Sequence, residues 1–339
     1  MSAYDVCGQA VDLDAGEWPV FIGFIAERAR ILARKRLGWT PPLTNNPILS
    51  AGKFGNVWRH ADRGTIWELD RLTEWESRVG STPDWRVRRE QERLVLTYRH
   101  NLIPWVTEYL LRGGAAVNAS ADELVALSRG RPIMHDAIKI WPGIDPAAAT
   151  PRDWAEYAIA HYADVERAIG GPDAPRPDWH FGDFGVDPHA VWADIQLRMP
   201  RLGAFKAYEC MTSLGYLPGT EWNEDTFAHV GHGAEPMLRR LLGDDSTPGG
   251  LLVAKLCALA PVVKKKLVSL GDEVPWYPSD AIDRLWRARR FAAVVKVAPD
   301  EWFTARTLED CLCEYRKYAE VREGTRTNRP YPDKLGRWA

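Results

Sequence analysis

The chain has 339 residues, 45% of them apolar, and its 44 Lys and Arg against 46 Asp and Glu leave a formal charge of −2. This composition excludes a disordered or fibrous chain, and no run approaches the 18 or more apolar residues of a membrane helix, so a soluble globular protein is predicted. Five cysteines (Cys7, Cys210, Cys257, Cys311, Cys313) without CxxC spacing or a preceding signal-like segment predict reduced thiols and a cytoplasmic location.

Residues 1–17 are assigned to an N-terminal extension. From 18 to 37, Phe21, Ile25, Ala29 and Leu32 recur at steps of four, four and three, the period of a helix with one apolar face, and Gly38 followed by Pro41-Pro42 stops it. The opposite side carries Arg28, Arg30, Arg34, Lys35 and Arg36. Residues 38–60, rich in Pro, Gly and aromatics, are predicted as a loop. Amphipathic helices follow over 84–112, 120–128, 152–169, 188–199, 202–215, 234–242, 250–270, 279–291 and 306–322. Strand-like alternation is scarce, so the predicted fold class is mainly α. The segment 171–187 reads as a long loop at which two helical lobes can divide, and 332–339 as a tail.

The neutral total hides segregated charge. Between Arg316 and Arg337 seven basic residues stand against three acids, and further basic clusters occur at 28–36, 86–99, 264–266 and 284–290, with Trp39, Trp58, Trp85, Trp286 and Tyr331 among these segments. Such stretches suit a phosphate backbone and stacked bases, although solvated helix faces and core aromatics give the same composition more often. There is no GxxxxGK[ST] phosphate loop, Rossmann fingerprint, HExxH or GxSxG, and no histidine pair has metal-ligand spacing; neither a cofactor nor a metal is assigned.

Three segments carry residues with chemical potential. In Asn45-Asn46-Pro47 and Phe54-Gly55-Asn56-Val57-Trp58-Arg59 through Asp62-Arg63, amides match a base edge and Arg clamps a phosphate; alternatively Asn46 caps a turn and Asp62–Arg63 ties the loop down. Gly231-His232-Gly233 opens into a helix bearing Arg239 and Arg240, the shape of a helix-hairpin-helix whose N–H groups grip DNA phosphates, and also that of a plain tight turn. Finally, Glu309, Cys313 and Lys317 share one side of the 306–322 helix at i, i+4 and i+8. Glu309 or Glu314 suits a general base and Lys317 a phosphate holder, while Cys313 is either a packing residue or a nucleophile whose pKa Lys317 lowers.

Together, Phe24–Arg28 with Asn46–Leu49 and Phe54–Arg63, then Leu202–Glu209 with Gly231–Ala234, then Leu308–Tyr318, make the chain resemble a family of helical proteins of phage thymine hypermodification. That family comprises amino acid:DNA transferases, glutamyl/putrescinyl-thymine pyrophosphorylases and the helical domain attached to 5-hydroxymethyluracil DNA kinases. The resemblance implies one catalytic domain over 18–331 with a helix-hairpin-helix, DNA-glycosylase-like fold, located in the host cytoplasm for a phage-encoded chain. Its implied partners are double-stranded DNA containing modified thymine and a free amino acid or amine. The amine displaces the phosphate of a 5-phosphomethyl or pyrophosphomethyl uracil, and without a phosphate loop the chain fits the transferase branch rather than the kinase branch. The alternatives are a DNA glycosylase acting on a modified base and a non-catalytic DNA-binding module.

Such a reaction needs a flipped base, cations for the leaving phosphate and a proton acceptor. Trp58, Tyr208 and Trp222 are candidates to wall the base; Arg28, Arg59, Arg63 and Lys317 to hold phosphates; Glu27, Glu309 or Glu314 to take the proton. Asn56, Asp62 and Lys206 join the substrate-contacting set, and Gly231, His232, Gly233, Arg239 and Arg240 the strand-anchoring set. Two positions depart from the family pattern, which commonly has proline where His232 stands and an acid where Ser213 stands, so a different base or a different substrate is expected if that acid is catalytic in relatives.

Overall fold

The computed structural model describes residues 3–36, 38–52, 54–57, 62–79, 85–112, 119–135, 145, 148–170, 187–217, 224–270 and 303–328. The expected helix 279–291 and the loop 171–186 lie outside these. In chain order the elements are β1 (Tyr4–Val6), β2 (Gln9–Val11), α1 (Trp18–Arg36), α2 (Pro47–Ala51), α3 (Arg63–Val79), α4 (Trp85–Asn101), α5 (Pro104–Arg112), α6 (Ala121–Ser128), α7 (Pro151–Ile169), α8 (Pro188–Arg198), α9 (Gly203–Leu214), α10 (Glu235–Leu242), α11 (Gly249–Ser269) and α12 (Ala305–Arg322), with a 3-10 turn at Pro200–Leu202. The fold is mainly α, as predicted, and among the described residues no helix is long and apolar enough to cross a membrane.

The described residues fall into two compact units, one formed by those up to Asp62 and from Glu224 onward, the other by those from Arg63 to Leu217. In the first unit α1, α2, α10 and α11 pack on α12. The anticipated apolar face of α12, Leu308, Leu312, Tyr315 and Ala319, is buried, and Thr304 caps its start by accepting from the Thr307 N–H. Aromatic rings from three segments fill this core: Phe24 lies 5.2 Å from Tyr315, 5.0 Å from Tyr318 and 6.0 Å from Phe54 between centroids. α1 stops two residues before Gly38, whose φ of 76° suits a residue without a Cβ.

The N-terminal segment contains the antiparallel pair β1–β2, which helical periodicity does not detect, with Tyr4 opposite Val11. It is pinned by Lys255 of α11, whose Nζ donates to Gln9 Oε1 at 2.8 Å and to Asp244 Oδ2 and Thr247 Oγ1 at 3.1 Å.

In the second unit α3, α5, α7 and α9 pack around α4. The predicted helix 84–112 is two helices, broken where Leu102 takes a φ of 52°. No helix was predicted over 63–79, yet α3 occupies it; its inward face includes Thr65 and Glu68 beside Leu69 and Leu72, so hydropathy alone makes the stripe look thin. α4 behaves likewise: Gln91, Glu92, Arg93, Thr97, Arg99, His100 and Asn101 are all buried. Their charges are met inside the unit. Arg93 pairs with Glu166 at 2.7 Å, and Arg99 with Glu68 at 2.5 Å.

Candidate functional site

In the first unit five of the predicted residues, Arg28, Asn56, Asp62, Glu314 and Lys317, gather around the segment 54–57. Upstream, Asn46 caps α2, its Oδ1 accepting from the N–H groups of Ile48 and Leu49, while its Nδ2 donates to Tyr318 Oη at 3.0 Å. The capping alternative for Asn46 is therefore observed. Beyond α2 the chain is drawn against α1 and α12 by one buried guanidinium. Arg28 Nε and Nη2 donate to the Gly55 carbonyl at 3.2 and 2.7 Å, Nη2 also to the Asn56 carbonyl at 2.8 Å, and the same nitrogen lies 3.5 Å from Asp310 Oδ2. Asn56 in turn donates from Nδ2 to Asp62 Oδ1 at 2.9 Å, the tying role foreseen for Asp62.

From the opposite side Glu314 accepts from the Gly55 N–H at 3.1 Å and from Lys317 Nζ at 2.5 Å. Burial acts to raise the Glu314 carboxyl, but Lys317, Arg28 and the two hydrogen bonds outweigh it and hold the group below its ordinary value. Glu314 is thus an anion under a loop backbone, with its partner Lys317 34% exposed. Arg28, expected to hold a phosphate, spends its donors on the chain itself. Burial works against its charge, and Cys311, Asp310, Glu314 and Asp62 more than compensate.

Cys313 does not have the lowered pKa that Lys317 was expected to produce. Burial, reinforced by Glu309, pushes its thiol up to about 12, and Lys317 offsets only part of this. The packing alternative has a direct geometric basis: a Cβ on Gly233 would sit 2.3 Å from Cys313 Sγ, so the glycine lets the 231–234 turn lie against α12. At that turn the N–H groups of Ala234 and Glu235 return to the Gly231 carbonyl at 3.0 and 2.9 Å, His232 is exposed, and its carbonyl accepts from Arg316. Arg239 is paired with Glu235 at 2.8 Å, and Arg240 with Glu323 at 2.6 Å and Glu17 at 3.2 Å. Glu309 is 5% exposed on α12.

Glu27 faces another way, into an open cleft of about 530 Å3 between α1 and residues 39–46. It accepts from Arg30 at 3.0 Å and Arg34 at 3.3 Å. Burial would raise its carboxyl, but hydrogen bonds from Thr44 and Arg30 and the two guanidinium charges hold it below the ordinary value.

Lys206 and Tyr208 belong to α9 in the second unit, both buried. Lys206 Nζ donates to the His100 carbonyl at 3.1 Å, and burial lowers its pKa to about 6. Beside them Ser213, at the position where an acid was expected, donates from Oγ to Glu68 Oε2 at 3.1 Å, so α3 delivers a carboxylate there. Trp58, Arg59, Trp222 and the side chain of Arg63 lie outside the described residues.

Sequence reasoning missed Asp310, the buried partner of Arg28, and Glu68, the partner of Arg99 and Ser213. Asp310 and Glu314 stand at i and i+4, a signal that two acids share a helix face and need a cation opposite. Among the described residues no group of three or more His, Cys, Asp and Glu could hold a metal ion.

The sequence pattern of the helical domain of 5-hmdU DNA kinase matches residues 17–82 and 187–327, more than half of the chain. The chain belongs to this family. The matched segments contain α1, α12 and the 54–57 loop with every contact described for them, together with the 231–234 turn. They leave out 83–186, so α4 to α7 of the second unit fall between the two matched parts, a narrower extent than the 18–331 expected. No curated protein and no solved structure matches the chain.

Proposed function

We propose that the protein acts on modified thymine in DNA, transferring an amino acid or amine onto a 5-phosphomethyl or pyrophosphomethyl uracil. The reading rests on membership in the family of the 5-hmdU DNA kinase helical domain, whose name ties it to 5-hydroxymethyl deoxyuridine. Its supporting geometry is the pairing of a buried carboxylate, Glu314, with a partly exposed ammonium, Lys317, at the 54–57 loop. The amine nitrogen attacks the exocyclic methylene carbon, a C–N bond forms, the C–O bond to phosphate breaks, and phosphate leaves with the electron pair. Lys317 is suited to meet the charge that grows on the leaving group. The amine attacks in its neutral form and becomes a dialkylammonium as it bonds to carbon, which holds its proton about as tightly as a free ammonium does. Glu314, or Glu309 five positions nearer the N-terminal end of the same helix, accepts a hydrogen bond from that N–H and relays its proton to solvent. Glu27, Asn56 and Asp62 are retained as proposed substrate-side residues of the first unit, and Gly231–Gly233 with Arg239 and Arg240 as the proposed strand anchor, in double-stranded DNA; Lys206 and Tyr208 lie buried within the second unit. Arg28 enters this scheme as the residue that positions the loop.

The test is incubation with DNA containing 5-phosphomethyluracil and isotope-labelled amino acids, followed by digestion to nucleosides and mass analysis. A labelled nucleoside adduct is the expected product; abasic sites would make the protein a glycosylase, and unchanged nucleosides with retained binding a non-catalytic module.

A further inference from the structure

We infer that Gly55 selects the co-substrate of the proposed site: the place its side chain would take is the seat of a primary amino group, which donates an N–H to Glu314 Oε1. The inference rests on the proposed reading in taking an amine as co-substrate, and adds which atoms receive it. Nothing in the fold requires glycine at this position. Its φ lies outside the left-handed region, and a Cβ would meet nothing closer than Glu314 Cδ and Oε1 at 3.7 Å and Arg28 Nη2 at 3.8 Å, ordinary contact distances. At Gly52 and Gly233, by contrast, a Cβ would collide with Asn328 and with Cys313. The peptide groups of Gly55 are fixed, its N–H donating to Glu314 Oε2 at 3.1 Å and its carbonyl accepting from Arg28 Nε and Nη2. Alanine at a position of permitted φ ordinarily stabilises a protein by restricting the unfolded chain. The bare Cα of Gly55 therefore forgoes stability and keeps a methyl-sized space open beside the Glu314–Lys317 pair, the trade expected of a residue that serves a ligand.

The walls of that space specify its occupant. Glu314 is anionic, and among the described residues Lys317 Nζ, at 2.5 Å, is the donor that reaches its Oε1. A carboxylate oxygen accepts two hydrogen bonds, so Oε1 has room for a second N–H. A phosphate oxygen in the same place would face the carboxylate charge, and the leaving phosphate is better placed on the exposed side of Lys317. The Arg28 guanidinium on the other wall, spent on the Gly55 and Asn56 carbonyls, disfavours an ammonium there and favours the neutral amine, the form that attacks carbon. With Glu314 and Arg28 in contact with the seat, a nitrogen carrying hydrogens fits and one carrying a second alkyl group does not. Gly55 is half-buried, which leaves the seat open to solvent on one side.

Two measurements test this. Adduct formation on 5-phosphomethyluracil DNA is followed with a mixture of amino acids and aliphatic amines, then with the N-methyl derivative of the amine taken up. Primary amines are expected to react, and proline and the N-methyl derivative to give no adduct. Gly55→Ala is expected to raise the KM for the amine by about 10- to 200-fold, the range for one added carbon in a close-fitting site, with the KM for DNA unchanged and the unfolding midpoint kept or raised. In parallel, methylamine is titrated against the thermal unfolding midpoint, with trimethylamine as control. Methylamine should raise the midpoint of wild type and not that of Gly55→Ala, and trimethylamine should raise neither. An unchanged amine KM in Gly55→Ala, or equal use of primary and N-methylated amine, would overturn the seat and leave the transfer reading standing. A lowered midpoint in Gly55→Ala would assign the glycine to the fold and overturn the seat as well. Absence of adducts from every amine, alongside a methylamine effect that Gly55→Ala abolishes, would overturn the transfer reading and leave the seat standing; absence of both would overturn both.

Discussion

Arg28 shows how much a single buried group organises. Its guanidinium serves the Gly55 and Asn56 carbonyls and faces Asp310 and Cys311, all without solvent. Truncation to alanine removes the cation facing Asp310 and the donor to two carbonyls, a loss of about 3–5 kcal/mol by the measure of broken buried pairs, and a chemical denaturation series checks it. Gly233→Ala is predicted to cost about 1–3 kcal/mol, because the new Cβ enters the space of Cys313 Sγ, 2.3 Å away. Most of that loss should return in the double variant with Cys313→Ala; additive losses would mean the two residues do not meet. The same thiol, with its pKa pushed up to about 12, should resist iodoacetamide at neutral pH in the native protein. At this scale the sequence was a fair guide to which residues matter and a poor one to their work. Asn56, Asp62 and Glu314 were singled out and lie at one loop, but Arg28 was expected to face a phosphate and instead faces its own backbone. Spacing along a helix specifies a face, not what lies opposite it.

At the scale of elements, α3 shows where periodicity fails, whereas α4 lies within the expected 84–112 helix despite its polar inward face. Both bury polar side chains, Glu68 on one and Arg99 with His100 on the other, so neither has the clean apolar stripe that marks α1 or α12. The cost of that burial is expressed in pH. His100 and His161 stack with centroids 3.5 Å apart, and burial lowers His161 to about 3, well under its ordinary 6.5. Between those values the unfolded chain binds a proton that the folded chain refuses, so stability falls as pH falls from about 6.5 towards 3. Lys206 of α9, lowered to about 6 from 10.5, adds a second rise in stability from about pH 6 upward. Urea midpoints measured across pH should show both trends, with Lys206→Met flattening the upper one and leaving the acid limb in place. An unchanged upper limb in that variant would mean Lys206 is charged in the folded state.

For the whole molecule, the formal charge of −2 is an average over segregated segments, and among the described residues several of the basic ones are paired inside the protein. The 86–99 cluster, which resembled a phosphate-binding stripe, includes Arg88, Arg93 and Arg99, paired with Glu92, Glu166 and Glu68. The α10 arginines are paired as well. Among the described residues of the first unit, partly exposed cations include Lys317 beside Glu314, Arg30 and Arg34 beside Glu27, and Lys264 and Lys265 of α11. The mainly α class was legible because most helices alternate apolar and charged faces; two lobes were anticipated with a division at 171–187, while the two units divide after Asp62 and before Glu224, because the division depends on which helix packs on which. The central claim is that phosphate leaves thymine only as an amine arrives. Phosphate release and nucleoside adduct should therefore be counted together on 5-phosphomethyluracil DNA, with and without amino acids. The account predicts one phosphate per adduct and none without an amine; phosphate released without an amine, leaving 5-hydroxymethyluracil, would contradict it.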